Sequence, residues 1–185
     1  MTILIGTDAY SPFRLDALRE AIAKLAPKLG PVSIDAKWVY AIQPRGGEVD
    51  AADLARAADL LNATGDCDKA DFFVTPRKGT ISPWSSKATD IFRNCSLESI
   101  ARVERGIRYR VSPALPEAAF AALFDRMTEG VYADISDIFE EGTPQPGRTY
   151  DVLSKGVEAI REANEEIGLA ISEEEMRYLA DSFAI

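Results

Sequence analysis

The segment from Thr75 to Ile91 combines hydroxyl groups, cations and turn-forming residues, which together are typical of anion-binding loops. Its prolines fix the backbone angle φ, and Gly79 permits an unusual turn. The sequence predicts that a helix begins here with Ser85 or Ser86 as its N-cap and ends near Asn94. Backbone N–H groups at a helix start point outward and favour phosphate or carboxylate. The segment is therefore a candidate anion-facing loop.

The local positive charge supports an anion-facing loop. The frequent use of serine and threonine as helix caps favours a purely structural role instead. Between Thr75 and Cys95 the sequence contains four cations and one anion, Asp90, although the net charge of the whole chain is −9. The cations are Arg77, Lys78, Lys87 and Arg93. The alternative is a capped loop whose serines satisfy only their own backbone. The segment contains no Walker A pattern, so the loop by itself indicates no nucleotide.

The composition excludes several classes of function. The net charge of −9 argues against nucleic acid and anionic membrane surfaces as partners. The sequence contains no histidine, which removes Ser–His and Cys–His nucleophiles and the usual zinc ligand sets. The acidic runs are typical of solvated helix faces. No apolar run is long enough to span a bilayer and the N-terminus does not resemble a signal peptide, so we expect a cytoplasmic protein.

The first half of the chain alternates predicted helices and strands. Ser11-Pro12 begins a helix that Gly30-Pro31 ends, and period-two alternation predicts a strand over Ile34–Ile42. A helix is predicted from about Asp50 to Leu61, and a short buried strand over Phe72–Val74 leads into the loop.

After the loop, the pattern predicts two strands, one helix and then a linker. The strands are Ser99–Glu104 and Gly106–Ser112, separated by a turn near Arg105-Gly106, and Pro116–Met127 is the helix. The intermixed elements predict an α+β class with a ferredoxin-like α/β sandwich. The Pro- and Gly-rich segment Glu140–Gly147 predicts a boundary near residue 145, between domains 1–145 and 146–185.

The second predicted domain is helical. Apolar spacing from Leu153 to Ile167 predicts one helix that Gly168 ends, and Ser172–Glu175 is a capping box that opens the last helix. Two helices cannot bury their apolar faces alone, so they need further protein surface.

Taken together, these segments resemble the N-terminal part of the large, single-chain bacterial type of phosphoribosylformylglycinamidine synthase. The resemblance extends from about Phe13 to Phe183. The residues that carry it are Thr75–Arg77, Gly79–Ile91, Asn94-Cys95, Glu104–Gly106, Asp125–Glu129, Ala163-Asn164, Gly168–Ala170, Glu175, Tyr178-Leu179 and Asp181–Phe183.

The resemblance implies a fold and a pathway. It implies an N-terminal domain that resembles a fused dimer of the small accessory subunit of other organisms, followed by a short helical linker domain. It also implies that the full enzyme is a carbon–nitrogen ligase of de novo purine biosynthesis. That enzyme uses ATP and ammonia from glutamine to convert formylglycinamide ribonucleotide to formylglycinamidine ribonucleotide.

The resemblance also implies what this chain lacks. The chain stops about where the family's synthetase domain begins, so no catalytic residue carries over, and we expect no cofactor or metal and no activity of the chain alone. ATP and magnesium belong to the synthetase domain, which with the glutaminase domain is the expected partner. The candidate residues, for contact with substrate phosphate or with the synthetase domain, are Arg77, Thr80, Ser82, Trp84, Ser85, Ser86, Lys87 and Thr89.

Two other functions stay open at this point. One is a free-standing regulator whose loop captures a phosphorylated metabolite. The other is a scaffold that binds a separately encoded synthetase chain in trans. The apolar side chains of Ile81, Trp84 and Ile91 beside the hydroxyls favour an interface over a phosphate site.

Overall fold

A computed structural model describes residues 1–67, 69–142 and 146–184. The chain divides into two compact units, Met1–Gly142 and Thr143–Ile185. The predicted boundary near residue 145 falls outside the described residues. Within those residues, no helix is both long and apolar enough to cross a bilayer.

The first unit is built on a six-stranded sheet. Its strands run in the spatial order β3-β1-β2-β5-β4-β6, and all pairings along it are antiparallel. The strands are β1 (Thr2–Asp8), β2 (Ser33–Pro44), β3 (Gly65–Asp66), β4 (Phe72–Pro76), β5 (Ile100–Ser112) and β6 (Glu129–Tyr132). The long strands β2 and β5 occupy the centre, so they form the platform on which the loop region rests.

Three helices and one 3-10 helix accompany this sheet. They are α1 (Pro12–Leu25), α2 (Ala51–Leu61), α3 (Pro83–Asn94) and a 3-10 helix (Glu117–Ala122). Side chains cap α1 and α2, since Ser11 accepts from Arg14 N and Asp50 accepts from Ala52 N and Asp53 N. The predicted starts of both helices are confirmed, although α1 ends at Leu25 rather than at the predicted Gly30-Pro31.

The two faces of the sheet are covered differently. On one face, Ile34 and Ala36 of β2 pack with Ile22 of α1, and further along this face α2 and α3 cover the sheet. On the other face, Val39 and Ala41 pack against the segment that carries Ile135 and Ile138. The predicted alternation along β2 is confirmed, because successive side chains of a strand point to opposite faces.

The described residues of the second unit form three helices, α4 (Val152–Lys155), α5 (Val157–Ile167) and α6 (Glu173–Phe183). The single helix predicted over Leu153–Ile167 is wrong, because Gly156 adopts φ +59° and ψ −135° and interrupts it. The left-handed Gly168 ends α5 as predicted. The predicted capping box of α6 is also confirmed. The prediction of an α+β sandwich followed by a helical region is therefore confirmed.

Two other predictions about local structure are wrong. The turn near Arg105-Gly106 does not exist, because β5 continues through it with Val39 opposite Gly106 and Tyr40 opposite Arg105. The helix predicted over Pro116–Met127 is only the short 3-10 helix. Beyond it, Asp125 accepts hydrogen bonds from the following backbone and hydroxyl groups, a local pattern that competes with helix formation.

Candidate functional site

The loop that joins β4 to α3 contacts the segment 137–140, which lies near the end of the first unit. Gly79 has φ +75°, and an added Cβ would lie 2.8 Å from the carbonyl oxygen of Glu140, so glycine is required there. The Gly79 amide donates to Ile138 O at 3.0 Å, and Lys78 forms an ion pair with Asp137. These contacts therefore fix the turn at Lys78 and Gly79 against this segment.

Helix α3 begins three or four residues earlier than the sequence predicted. Its N-cap is Ser82, whose Oγ accepts from Ser85 N at 2.9 Å, and Pro83 occupies the first helical position. The prediction of Ser85 or Ser86 as N-cap is wrong, because both residues lie inside the first turn. The hydroxyl of Ser82 also donates to Glu104 Oε1 at 2.7 Å. The capping serine thereby connects α3 to the central strand β5.

Two further hydroxyls of the loop region pair with the edge of β5. Strand β4 pairs with β5 only as far as Val74 opposite Ile107, which leaves the backbone of Val103 without a strand partner on that side. Ser85 Oγ donates to Val103 O at 2.6 Å, and Val103 N donates to Thr89 Oγ1 at 3.3 Å. These side chains replace the absent strand and satisfy buried backbone groups.

Thr80, Ser86 and Arg77 also bond within the first unit. Thr80 Oγ1 donates to Arg77 O at 2.6 Å, and Ser86 Oγ donates to Ser82 O at 3.4 Å. Arg77 Nη2 donates to the Arg126 carbonyl at 2.7 Å. All the hydroxyl groups predicted to face an anion therefore have partners inside the protein.

Glu104 is the centre of this network, although sequence reasoning did not select it. Its side chain is 1% exposed and accepts from Ser82 N, Ser82 Oγ, Arg105 N and Arg102 Nη2 at 2.7 to 3.2 Å. Arg102 also donates from Nε to Ser85 Oγ at 3.1 Å. A buried carboxylate is tolerated because a cation and three further donors compensate for its lost hydration.

A cleft of about 580 Å³ opens between the loop, β5 and the segment that precedes β6. Four of the eight predicted residues line it: Arg77, Thr80, Ser82 and Trp84. The other four, Ser85, Ser86, Lys87 and Thr89, do not border it. The remaining lining residues are Trp38, Val74, Pro76, Ile81, Pro83, Glu104, Arg105, Gly106, Ile107, Met127, Thr128 and Glu129.

One arginine contacts two indole rings at this cleft. The Arg105 guanidinium carbon is 4.2 Å from the ring centroid of Trp38 and 4.9 Å from that of Trp84. Trp84 in turn stacks on Tyr40, with ring centroids 5.9 Å apart. Burial raises the pKa of Tyr40, and the nearby charge of Arg105 opposes that increase.

Sequence reasoning missed Arg105 as a site residue for an identifiable reason. It assigned Arg105-Gly106 to a turn, whereas β5 carries Arg105 straight across the sheet to the cleft. Trp38 lies in the predicted strand Ile34–Ile42, but nothing in one sequence pairs it with Arg105. Within the described residues, no cluster of three or more His, Cys, Asp or Glu residues could hold a metal ion.

Residues 37–140 match the family model described as formylglycinamide ribonucleotide amidotransferase N-terminal. The match covers more than half of the chain. This chain belongs to that family. The formylglycinamide ribonucleotide amidotransferase N-terminal family is the N-terminal domain of phosphoribosylformylglycinamidine synthase, an enzyme of purine biosynthesis. The resemblance inferred from the sequence is thereby confirmed.

The matched range contains the whole site. It begins within β2, includes β4, α3 and β5, and ends after the segment that covers the second face of the sheet. Every residue that lines the cleft lies inside it. In this amidotransferase family, the domain is one part of a larger synthase.

Proposed function

We propose that this chain is the N-terminal assembly module of a phosphoribosylformylglycinamidine synthase that acts in the cytoplasm. In that enzyme, ATP- and glutamine-dependent amidine formation takes place in the synthetase and glutaminase portions, which are the partners of this chain. ATP and magnesium are held by the synthetase portion. The chain positions those portions and does not catalyse the reaction alone. Membership of the family supports the assignment of the enzyme.

One observation favours an interface over a phosphate site. The loop hydroxyls bond within the protein, whereas two large side chains that face solvent at the cleft are apolar. Ile81 is 63% exposed and Met127 is 79% exposed, and both border the cleft. A patch of exposed apolar side chains beside a polar network is typical of a protein contact surface.

The size of these side chains allows the binding free energy of the contact to be estimated. Burying each of two large apolar side chains contributes about 1.5 to 3 kcal/mol. Loss of one such contact at the centre of an interface is expected to weaken binding by about tenfold or more. We name Ile81 and Met127 the apolar rim of the cleft.

Reconstitution tests the proposal. The chain is mixed with a separately expressed synthetase–glutaminase polypeptide of the same enzyme family, and formation of formylglycinamidine ribonucleotide is followed with ATP and glutamine. We expect no turnover from the chain alone and turnover that increases with the amount of chain added. Turnover by the isolated chain, or the same turnover with and without it, would contradict the proposal.

A second measurement separates the module from a free-standing regulator. Calorimetric titration of the isolated chain with formylglycinamide ribonucleotide should show no tight binding if the loop serves assembly. Binding at micromolar concentration, lost in Lys87→Gln, would support the regulator instead. Lys87 is suited to this comparison because it is exposed and lies outside the cleft. A scaffold in trans would give the same reconstitution result with the partner encoded separately.

A further inference from the structure

Arg105 differs from the other three arginines on β5, because its guanidinium has no acceptor among the described residues, whereas Arg110 Nε, for example, donates to Lys69 O at 2.6 Å. Arg102 is paired with Glu104 at 3.0 Å, and Arg108 is paired with Asp35 at 2.7 Å. The Arg105 side chain is instead held by ring contacts with Trp38 and Trp84. Its charge is positioned but not neutralised by a carboxylate of its own.

The arrangement of the two rings determines which part of the guanidinium is available. Indole rings contact a guanidinium through its flat faces, and the N–H donors lie in its plane and point outward. The contacts of Arg105 with Trp38 and Trp84 are ring contacts, and its guanidinium N–H donors have no acceptor among the described residues. In-plane guanidinium donors bind carboxylate or phosphate through two parallel hydrogen bonds.

The rest of the cleft determines what kind of anion fits. Its volume of about 580 Å³ lies within the range of small-molecule sites, roughly 300 to 1,000 Å³. Val74, Pro76 and Ile107 provide an apolar wall next to Arg105. Two carboxylates line the cleft: Glu104 is already bonded to four donors, and Glu129 Oε2 accepts from Asp125 N at 2.9 Å.

A glycine brings the wall close to Arg105. A Cβ at Gly106 would lie 2.5 Å from Thr75 Cγ2 and 2.8 Å from Val74 O, so β4 approaches β5 here as only glycine allows. The last residues of β4, which line the cleft, are therefore held beside the guanidinium.

We propose that the cleft at Arg105 is a binding site for a small organic anion, a carboxylate or phosphate ester attached to a planar apolar body. Arg105 binds the anionic group, while the indoles and the apolar wall contact the body. The site requires only the first unit, so it goes beyond the assembly role and does not depend on it.

The two tryptophans give a direct readout. They are the only tryptophans in the chain, and both contact Arg105. The ¹H–¹⁵N resonances of their indole N–H groups can be followed during titration of the full chain with four probes. These are benzoate, phenyl phosphate, the neutral amide benzamide, and inorganic phosphate, which has no apolar body.

We expect benzoate or phenyl phosphate to shift the indole resonances in a saturable manner, with a Kd of about 1 mM or tighter. Benzamide and inorganic phosphate are expected to bind at least about tenfold more weakly than the better of these two probes. Tighter binding of phenyl phosphate identifies the anion as a phosphate ester, and tighter binding of benzoate identifies a carboxylate. The proposal is overturned if benzamide or inorganic phosphate binds as well as that better probe, or if no probe gives saturation.

Variants test the role of Arg105 itself. Arg105→Gln should abolish the saturable shifts, and Arg105→Lys should retain charge but bind about tenfold more weakly, because an ammonium cannot make the two parallel hydrogen bonds. Arg93→Gln is the matched control, since Arg93 is a 66% exposed arginine on α3. Undiminished binding by folded Arg105→Gln overturns the proposal. The probe series on the unaltered chain decides the question even if that variant fails to fold.

Discussion

Helices α1 and α3 begin with nearly the same three residues, yet the two starts differ in everything around them. Ser11-Pro12-Phe13 and Ser82-Pro83-Trp84 each place serine at the N-cap and proline at the first helical position. Phe13 is 83% exposed, and the Ser11 cap hydrogen bond is 3.3 Å long. Trp84 stacks on an aromatic ring and contacts Arg105.

The comparison separates what local sequence determines from what the sheet adds. The Ser-Pro pair is enough to begin a helix in both places. Only the second serine also donates to a buried carboxylate, because Glu104 of β5 lies beside it. The same local motif is therefore a simple cap at α1 and part of a structured cleft at α3.

The largest expected effect is at Glu104. Glu104→Gln removes the negative charge that compensates Arg102 in a buried site, and we expect the free energy of unfolding of the first unit to fall by about 3 kcal/mol. Urea denaturation followed by tryptophan fluorescence measures it, since both tryptophans lie in this unit. Asp16→Asn, in the exposed Asp16–Arg19 pair of α1, should cost less than about 0.5 kcal/mol. Equal costs would show that the carboxylate at α3 is not special.

The next largest expected effect is a difference in stability cost between substitutions of the two capping serines. Ser82→Ala should cost about 2 kcal/mol, because it removes the cap and a hydrogen bond to a charged group. Ser11→Ala removes only the cap and should cost about 1 kcal/mol or less. Both are measured by the same denaturation. If Ser11→Ala proved the more costly, the comparison between the two helix starts would be reversed.

Ser85 tests the substitution of a side chain for a missing strand. Ser85→Ala should cost about 1 to 2 kcal/mol, because it leaves the buried Val103 carbonyl without its partner. Ser86→Ala is the matched control one residue away, and its exposed, 3.4 Å contact should contribute less than about 0.5 kcal/mol. A similar cost for both serines would argue against strand replacement by Ser85.

The smallest expected effect is on a tyrosine titration. Burial raises the pKa of Tyr40, and the charge of Arg105 stabilises the tyrosinate and partly offsets that increase. Arg105→Gln should therefore raise the pKa of Tyr40 further, as seen by ultraviolet titration of tyrosinate absorbance against Tyr40→Phe. Arg93→Gln should leave it unchanged. An unchanged or lower pKa of Tyr40 in Arg105→Gln would contradict this effect of Arg105.

Elements with strong local signals were predictable from the sequence. The alternation along β2, the start of α2 near Asp50 and the capping box of α6 all follow from nearest neighbours, and the structure confirms them. The Ser82 cap was also readable, since Ser82-Pro83 repeats the Ser11-Pro12 pattern that correctly located α1. The more numerous serines after it misled the prediction.

The site itself depends on pairings that no local pattern contains. Glu104 meets Ser82 across 22 residues of sequence, and Arg105 meets Trp38 only because β2 and β5 are neighbours in the sheet. Arg105-Gly106 resembled a turn because glycine commonly marks one. In the structure, the same glycine instead permits the close approach of β4. The anion-facing role predicted for the hydroxyls did not anticipate the internal acceptors that β5 supplies.

The most direct test of the assembly role compares affinities for the synthetase–glutaminase polypeptide of the family, measured by calorimetry. Ile81→Ser, which alters the apolar rim, should weaken binding by about tenfold or more. Lys87→Gln and Leu25→Ser, the latter changing a half-exposed apolar residue at the end of α1, should change the affinity less than about twofold. A tenfold loss in Lys87→Gln together with unaltered binding by Ile81→Ser would contradict the account.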